Sequence, residues 1–298
     1  MLYQHSSILF PLAIVAGVIL GLIYIFKSIN KLGLDKKSYE RLIVIFSYAG
    51  IAFYIGASFF DDLFHYLNGE GWGSGGITFL GGMVSAVTVL ITLYLIFMKP
   101  LRHQFFKIIN IVAMGIILGH AVGRVGCFCA GCCYGEITDS KIGVVFPGDA
   151  DLMKSKNGIY RIEINGSDGY RNLFEQELNR IGFDENKIYT DYNEINYYYT
   201  TAKIYADNTK LLPTQLIETV FLLALFGLLY LIKHYQMPLY VIGYGIFRFL
   251  IEYKRFDNRG STTLGISPSQ LLSIIIIIFG FVLIGVYYYL NKKKQIEI

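Results

Sequence analysis

Two arginines stand inside apolar sequence, where a charge is costly: Arg124 closes the run that begins at Ile108, and Arg248 lies within the run that begins at Leu239. A guanidinium at the middle of a spanning helix costs roughly 2.5 to 3.5 kcal/mol on insertion scales, so it is usually kept for a cavity, an ion partner or a substrate. Its planar fork of donors suits a phosphate held bidentately. The alternative is a helix-end anchor that snorkels to the interface. Glycines flank both sites, Gly119, Gly123 and Gly126 around Arg124 and Gly243 and Gly245 before Arg248, which permits close helix approach around a pocket. Both arginines are expected in one site. Tyr244, Arg248 and Glu252 follow at spacings of four, so they share a helix face and Glu252 is expected to hold Arg248. His120, one turn before Arg124 on the same face, is the candidate general base, its alternative being a packing histidine bonded to a backbone carbonyl. Gln215 and Glu218 open the next apolar run after Pro213 and Thr214, either as helix-start residues or as side chains facing the same cavity. The candidate catalytic set is therefore His120, Arg124, Arg248 and Glu252. The candidate substrate-binding set is Arg124, Arg248, Tyr244, Gln215 and Glu218.

All four cysteines fall in one short stretch, Cys127, Cys129, Cys132 and Cys133, which is no disulfide framework spread over a fold. Three readings stay open for them. They could be small apolar packing residues at a tight turn. Cys129 and Cys132 form a C-x-x-C that could be a redox pair. A metal site is the weakest of the three, because adjacent cysteines rarely both reach one ion and no histidine follows at finger-like spacing. No metal and no cofactor is expected.

These residues must be positioned by membrane-type elements. Hydrophobic residues make up 54% of the chain and charged residues only 16%, well short of the roughly 25% of soluble domains. The net charge of +4 is scattered in loops between apolar runs, which argues against a nucleic-acid partner. Seven runs approach or reach the roughly 20 residues a spanning helix needs: Ile8 to Phe26, Leu42 to Phe60, Gly76 to Met98, Ile108 to Val125, Gln215 to Ile232, Leu239 to Tyr253 and Pro268 to Leu290. The first lacks a basic leader and a small-residue cleavage pattern, so it is expected to stay as a helix. Lys27, Lys31, Lys36, Lys37 and Arg41 follow the first run, Lys99, Arg102 and Lys107 the third, Lys233 the fifth, and Lys292, Lys293 and Lys294 the last. Residues 1–7 and 61–75 contain no Lys or Arg, whereas Lys254, Arg255 and Arg259 lie between the sixth and seventh runs. The positive-inside rule then places the N-terminus outside and the C-terminus in the cytoplasm.

The expected fold is an all-α membrane protein of seven transmembrane helices, N-out and C-in, forming a single polytopic domain over 1–298. A polar extracytoplasmic insertion at 146–212, between the fourth and fifth helices, is expected to form a small α+β head or to rest its Tyr189 to Tyr205 stretch on lipid headgroups. His120, Arg124, the cysteine turn, Tyr244, Arg248, Glu252 and the start of the third helix at Gly75, Gly76 and Thr78 then reach one depth, the outer-leaflet boundary.

Six runs in order resemble the motifs of the prolipoprotein diacylglyceryl transferase family: GWGSGGITFLGG (71–82), HAVGRVGCFCAGCCYG (120–135), VVFPG (144–148), LPTQLIE (212–218), GYGIFRFLIEYKR (243–255) and ISPSQLLSI (266–274). The resemblance covers nearly the whole chain outside 150–210. It implies a multi-pass enzyme of the cytoplasmic (inner) membrane with an outward-facing site. Such an enzyme transfers the diacylglyceryl group of phosphatidylglycerol to the lipobox cysteine of an exported preprolipoprotein and releases glycerol phosphate. The implied partners are phosphatidylglycerol, the preprolipoprotein signal peptide and membrane lipid. By the same resemblance Arg124 and Arg248 stand near the lipid phosphate, Tyr244 and Glu252 accompany them, and Gln215 and Glu218 match a PSQLYE-like motif.

Departures are also visible. Leu80 stands where the family has a histidine regarded as important for catalysis, and a GRxGNFxNxE-like motif has Cys127, Ala130 and Cys132 at its asparagine, asparagine and glutamate positions. His120 is the expected replacement base. Other classes remain open: a membrane thiol-disulfide oxidoreductase using the Cys127 to Cys133 cluster, or a non-catalytic lipid-binding or transport relative.

Overall fold

The computed structural model describes residues 2–67, 71–73, 79–155, 157–256 and 267–296. Gly75, Gly76, Thr78 and Arg259, expected to matter for the site or the topology, lie outside the described residues, as does the side chain of Leu80. The chain is mostly helical. In order come α1 (Leu2–Asn30), α2 (Lys36–Leu67), α3 (Phe79–Phe97), α4 (Phe105–Ala130), β1 (Gly148–Lys154), β2 (Tyr160–Gly166), α5 (Asp168–Arg180), α6 (Tyr192–Asn208), α7 (Thr214–Ile232), α8 (Gln236–Ile251) and α9 (Pro268–Ile296).

Among the described residues, five stretches are long and apolar enough to cross a membrane: Ile8–Asn30, Lys36–Leu63, Phe105–Ala130, Thr214–Ile232 and Ser269–Leu290. The third expected span is represented by a shorter apolar helix at Val84–Phe97. The sixth, α8, has 16 residues and reaches about 24 Å at 1.5 Å per residue, short of a hydrocarbon core of about 30 Å. Large apolar side chains point outward along these helices, including Val220, Leu228 and Leu231 on α7 and Ile275, Ile278 and Phe281 on α9. So much exposed apolar surface calls for a lipid phase around it.

The chain divides into two compact units, Ile25–Ile111 and the combination of Met1–Tyr24 with Val112–Ile298. In the first, α2 and α3 cross where side chains are smallest. A Cβ added at Gly56 would sit 2.9 Å from the carbonyl oxygen of Gly81, and one at Gly82 would sit 2.9 Å from that of Phe53. The final glycines of the 71–82 run are therefore packing glycines, which let two backbones approach where apolar side chains gain nothing over lipid. Below the crossing, the Tyr94 hydroxyl donates to the Leu101 carbonyl at 2.7 Å and fixes the turn into α4.

The second unit holds the candidate site. In it α1 and α4 meet through Gly17 and Gly119, where a Cβ at Gly17 would stand 2.7 Å from the Gly119 carbonyl oxygen. Met114, Ile117 and Ala121 of α4 pack against Leu222, Leu225 and Leu229 of α7, with Tyr240 and Tyr244 of α8 alongside. Gly245 lets α8 approach α9, since its Cβ would lie 2.8 Å from Ile277. α9 starts with a reciprocal cap. The Ser267 hydroxyl accepts from the Gln270 amide at 3.1 Å, and the Gln270 side chain accepts from the Ser267 amide at 3.0 Å, with Pro268 at the first helical position.

The polar insertion forms a small α+β head, as one of the two expectations had it. β1 and β2 make an antiparallel hairpin from Gly148↔Gly166 to Lys154↔Tyr160. α5 starts at the N-cap Ser167, whose hydroxyl accepts from the Tyr170 amide, and α6 at the N-cap Asp191, whose carboxylate accepts from the Asn193 amide. Tyr170, Leu173, Phe174, Ala202 and Ala206 form its core, which continues into Tyr134, Phe146 and Leu211. Most of the tyrosine-rich stretch is spent inside: Tyr189 is buried and stacks on Phe183, and Tyr198, Tyr199 and Tyr205 pack against the core, leaving Tyr192 and Tyr197 exposed.

Candidate functional site

Three helices of this unit bring polar side chains to one carboxylate. Glu218, in the second turn of α7, is 2% exposed, and its Oε1 lies 2.8 Å from Nε of Arg124 and 3.4 Å from Nε2 of His120, both on α4. The Tyr244 hydroxyl, from α8, donates to the same oxygen at 3.0 Å. Glu218 is no helix cap: Pro213 occupies the N-cap position of α7 without a side-chain bond. A carboxylate so buried needs compensation, and it has the Tyr244 hydroxyl as donor with the Arg124 guanidinium and the His120 imidazole close by.

His120 is likewise not the packing histidine of the bland alternative. Its Nδ1 faces the Tyr240 hydroxyl at 3.2 Å, and its ring stands edge-on to Tyr244 at 4.7 Å. With Nε2 directed at a carboxylate, the N–H belongs on Nε2 and the lone pair on Nδ1. His120 and Arg124 retain 23% and 16% of their side-chain exposure, so both remain reachable.

One turn further along α8 a second pair forms. Nη1 of Arg248 and Oε2 of Glu252 stand 2.8 Å apart, a charge contact without hydrogen-bond alignment, and Nη2 of Arg248 donates to the Ser269 hydroxyl at 2.8 Å. Ser267 donates to the other Glu252 oxygen at 2.9 Å, so the capping turn of α9 locks the pair from the far side. Tyr244, between the two pairs, lies within electrostatic reach of both guanidiniums. The spacing of four read from Tyr244 to Glu252 extends one turn back to Tyr240. That tyrosine was missed, although the same interval pointed to it.

Gln215 meets the cysteine turn. It is buried, and its side-chain amide donates to the Cys132 carbonyl while Oε1 has no donor among the described residues. Thr214 beside it donates to the Cys133 carbonyl at 2.6 Å. The start of α7 thus grips the cysteine turn. A helix-stop geometry shapes that turn: Gly131, at φ +65°, donates to the Phe128 carbonyl at 3.0 Å, and the Cys132 amide donates to the Cys127 carbonyl at 3.2 Å. This is a Schellman stop with Gly131 as the left-handed residue, and it juxtaposes the side chains three before and two after the cap, here Cys127 and Cys132. A side chain at Gly131 would run into Ser167, so glycine is required on both counts.

Cys133 follows in the left-handed region at φ +62°, and the sulfurs of Cys127, Cys132 and Cys133 all lie within 4.8 Å of one another. Cys129, half of the C-x-x-C, is not in the group. Hydrogen bonds with the Cys127 and Cys132 thiols, with the Arg255 guanidinium behind them, hold the Cys133 thiol well below the usual thiol range; contacts with Cys127 and Cys133 push the Cys132 thiol up. Nε of the nearly buried Arg255 also stands 3.8 Å from Glu252, joining the cysteine turn to the second ion pair.

Known proteins agree with the motif order. A phosphatidylglycerol–prolipoprotein diacylglyceryl transferase 2 of Clostridium perfringens is 30% identical over 199 residues, 65% of this chain and 55% of that protein. A phosphatidylglycerol–prolipoprotein diacylglyceryl transferase of Clostridium tetani is 29% identical over 196 residues, 64% of this chain and 57% of its own length. One of Rickettsia bellii is 31% identical over 171 residues, 53% of this chain and 61% of that protein. The chain thus spans a little over half the length of the curated relatives it matches. The profile of one family matches residues 5–286, nearly the full length across all six motifs, and the chain belongs to that family, the prolipoprotein diacylglyceryl transferases.

Proposed function

We propose that this chain transfers the diacylglyceryl group of phosphatidylglycerol to the lipobox cysteine thiol of exported preprolipoproteins. The observation that carries the reading is the convergence of Arg124, His120 and Tyr244 on the single buried oxygen of Glu218, which sets a phosphate-binding group and a base side by side. In the reaction the acceptor S–H takes the place of the Tyr240 hydroxyl at Nδ1 of His120 and gives its proton there. The thiolate attacks the terminal glyceryl carbon of the lipid, the bond from that carbon to the phosphate oxygen breaks, and the electron pair leaves with glycerol phosphate. Arg124 and Arg248 supply N–H donors to the phosphate, and Tyr244 and Glu252 hold them in place. Glu218 orients the imidazole and receives the imidazolium as it forms, the part a carboxylate plays in acyl-transfer triads. Gln215 acts at one remove, by fixing the turn beside Arg124.

The same reading makes α3 and α8 spanning segments, seven in all, with the N-terminus and the head of 146–212 outside the inner membrane and the site at the outer leaflet. The loop charges support that orientation. The transfer is tested by expressing the chain in a host depleted of its own transferase, and with purified protein, phosphatidylglycerol vesicles and a lipobox peptide. A thioether-linked diacylglyceryl peptide is the expected product. Growth without lipoprotein modification, and no product in vitro, refutes the reading.

A further inference from the structure

Nothing in the transfer chemistry uses the three converging thiols, yet the turn that gathers them is built from several sides. The Schellman stop at Gly131 brings Cys127 to Cys132. Cys133 is then held at φ +62°, a conformation costly for any residue with a Cβ and kept only where the surroundings impose it. Thr214 and Gln215 impose it by bonding the Cys133 and Cys132 carbonyls from the start of α7. A packing turn needs none of this: glycine at 133 would reach the same backbone without strain.

We propose that Cys127, Cys132 and Cys133 bind one zinc ion as a three-thiolate site. In a tetrahedral zinc site with Zn–S about 2.3 Å, sulfurs stand about 3.8 Å apart. The three sulfurs, within 4.8 Å of one another, need to close by no more than about an ångström to reach it. The objection that adjacent cysteines cannot share an ion fails here because the left-handed turn at Cys133 brings its side chain back toward Cys127. Charge agrees as well. Three thiolates around a divalent ion leave one negative charge, and the buried Arg255 guanidinium against Cys133 answers it. Three protein ligands leave one tetrahedral position for water or an exogenous thiolate, the pattern of reactive rather than purely structural zinc sites. A disulfide would use only two of the three sulfurs and would need an oxidant, which the site does not supply.

The site stands apart from the transfer reading, which rests on Arg124 and Glu218, so either can fail alone. The test uses the full chain purified in detergent under reducing, anaerobic conditions. Metal content, cobalt(II) titration and counting of maleimide-reactive thiols with and without zinc are measured. Expected are one zinc per chain, a sulfur-to-cobalt charge-transfer band of three-thiolate intensity, and zinc protection of three thiols. Cys129→Ser should bind as the parent does. Cys133→Gly, which relieves the backbone strain and should fold at least as stably, should lose zinc affinity by more than the roughly 10- to 100-fold that an outer-shell change costs. Four thiols equally reactive in the presence of zinc overturn the proposal. So does a two-thiol loss reversed by reductant, or retention of full affinity in Cys133→Gly.

Discussion

Glu218→Gln removes one charge and almost nothing else, because the amide oxygen can still accept from Tyr244. The lost attraction can be sized from the structure. Two unit charges 2.8 Å apart at an effective dielectric of about 20 attract by about 6 kcal/mol before solvation is considered. Partial rehydration of Arg124, whose side chain keeps 16% of its exposure, offsets part of this, so the net loss should fall near the 3–5 kcal/mol typical of a buried pair broken on one side. Removing both partners behaves differently. A buried ion pair replaced by neutral groups of similar volume is often close to neutral, so Glu218→Gln with Arg124→Met should regain most of what the single change lost. The assay is equilibrium denaturation in mixed micelles of the parent, both single variants and the double variant, read as a double-mutant cycle. A coupling of about 2 kcal/mol or more is expected, with transfer abolished in all three variants. Glu218→Gln within about 1 kcal/mol of the parent, or a double variant whose loss is the sum of the singles, would falsify the assignment of Arg124 to Glu218.

His120→Gln should lower kcat by about 10²- to 10⁴-fold with little change in lipid binding; an unchanged kcat takes His120 out of the mechanism. Gly17→Val puts side-chain atoms where even a Cβ lies 2.7 Å from the Gly119 carbonyl, and should destabilise by about 1–3 kcal/mol while Gly123→Ala, with open space at its Cβ, changes little. In the head, Arg180 holds Glu177 below the usual carboxylate range, so the pair stabilises above the unfolded value near 4.5 and that contribution is lost as pH falls through the lower folded value. Hydrogen exchange over 148–208 should therefore quicken in acid, and Glu177→Gln should flatten the response; an equally steep response in the variant refutes it. Maleimide applied from outside should label a cysteine placed at 168 and not one at 36, and the reverse pattern inverts the topology.

Much of the site was legible because helical spacing is simple geometry. Tyr244, Arg248 and Glu252 had to share a face, and Glu252 does meet Arg248. His120 and Arg124, one turn apart on α4, do reach one partner. That the partner was Glu218 could not be read, since it depends on how α7 sits against α4, and a glutamate near a helix start reads equally well as a capping residue. The bond from the Gln215 amide to the Cys132 carbonyl could not be read for a related reason, since it depends on how the start of α7 meets the end of α4. For the cysteines the informative interval is the helix stop. C-x-x-C drew attention to Cys129, whereas Gly131 as a helix stop pairs Cys127 with Cys132, and that signal was present in the sequence. The inside of the head could not be read, because its hairpin register and its shared core with Tyr134 and Leu211 depend on contacts far apart in the chain.

If the proposed transfer holds, the two ion pairs also constrain how its anionic lipid is bound. Arg124 faces Glu218 and Arg248 faces Glu252, so each guanidinium is neutralised before a phosphodiester arrives. Attraction must then come from the N–H donors left over rather than from net charge, and a guanidinium has five. Arg124 meets Glu218 through Nε, which leaves its Nη donors for the phosphate. Under the proposed reaction a monoanionic diester leaves as a glycerol phosphate carrying a second negative charge. The compensating positive charge is the proton that His120 takes from the acceptor thiol, formed beside Arg124 and 3.4 Å from Glu218. Thiol deprotonation and phosphate departure are thereby tied through one buried carboxylate. On that proposal a chain with leucine at position 80 would need no histidine there, since His120, beside Glu218 and one helical turn from Arg124, would take the proton.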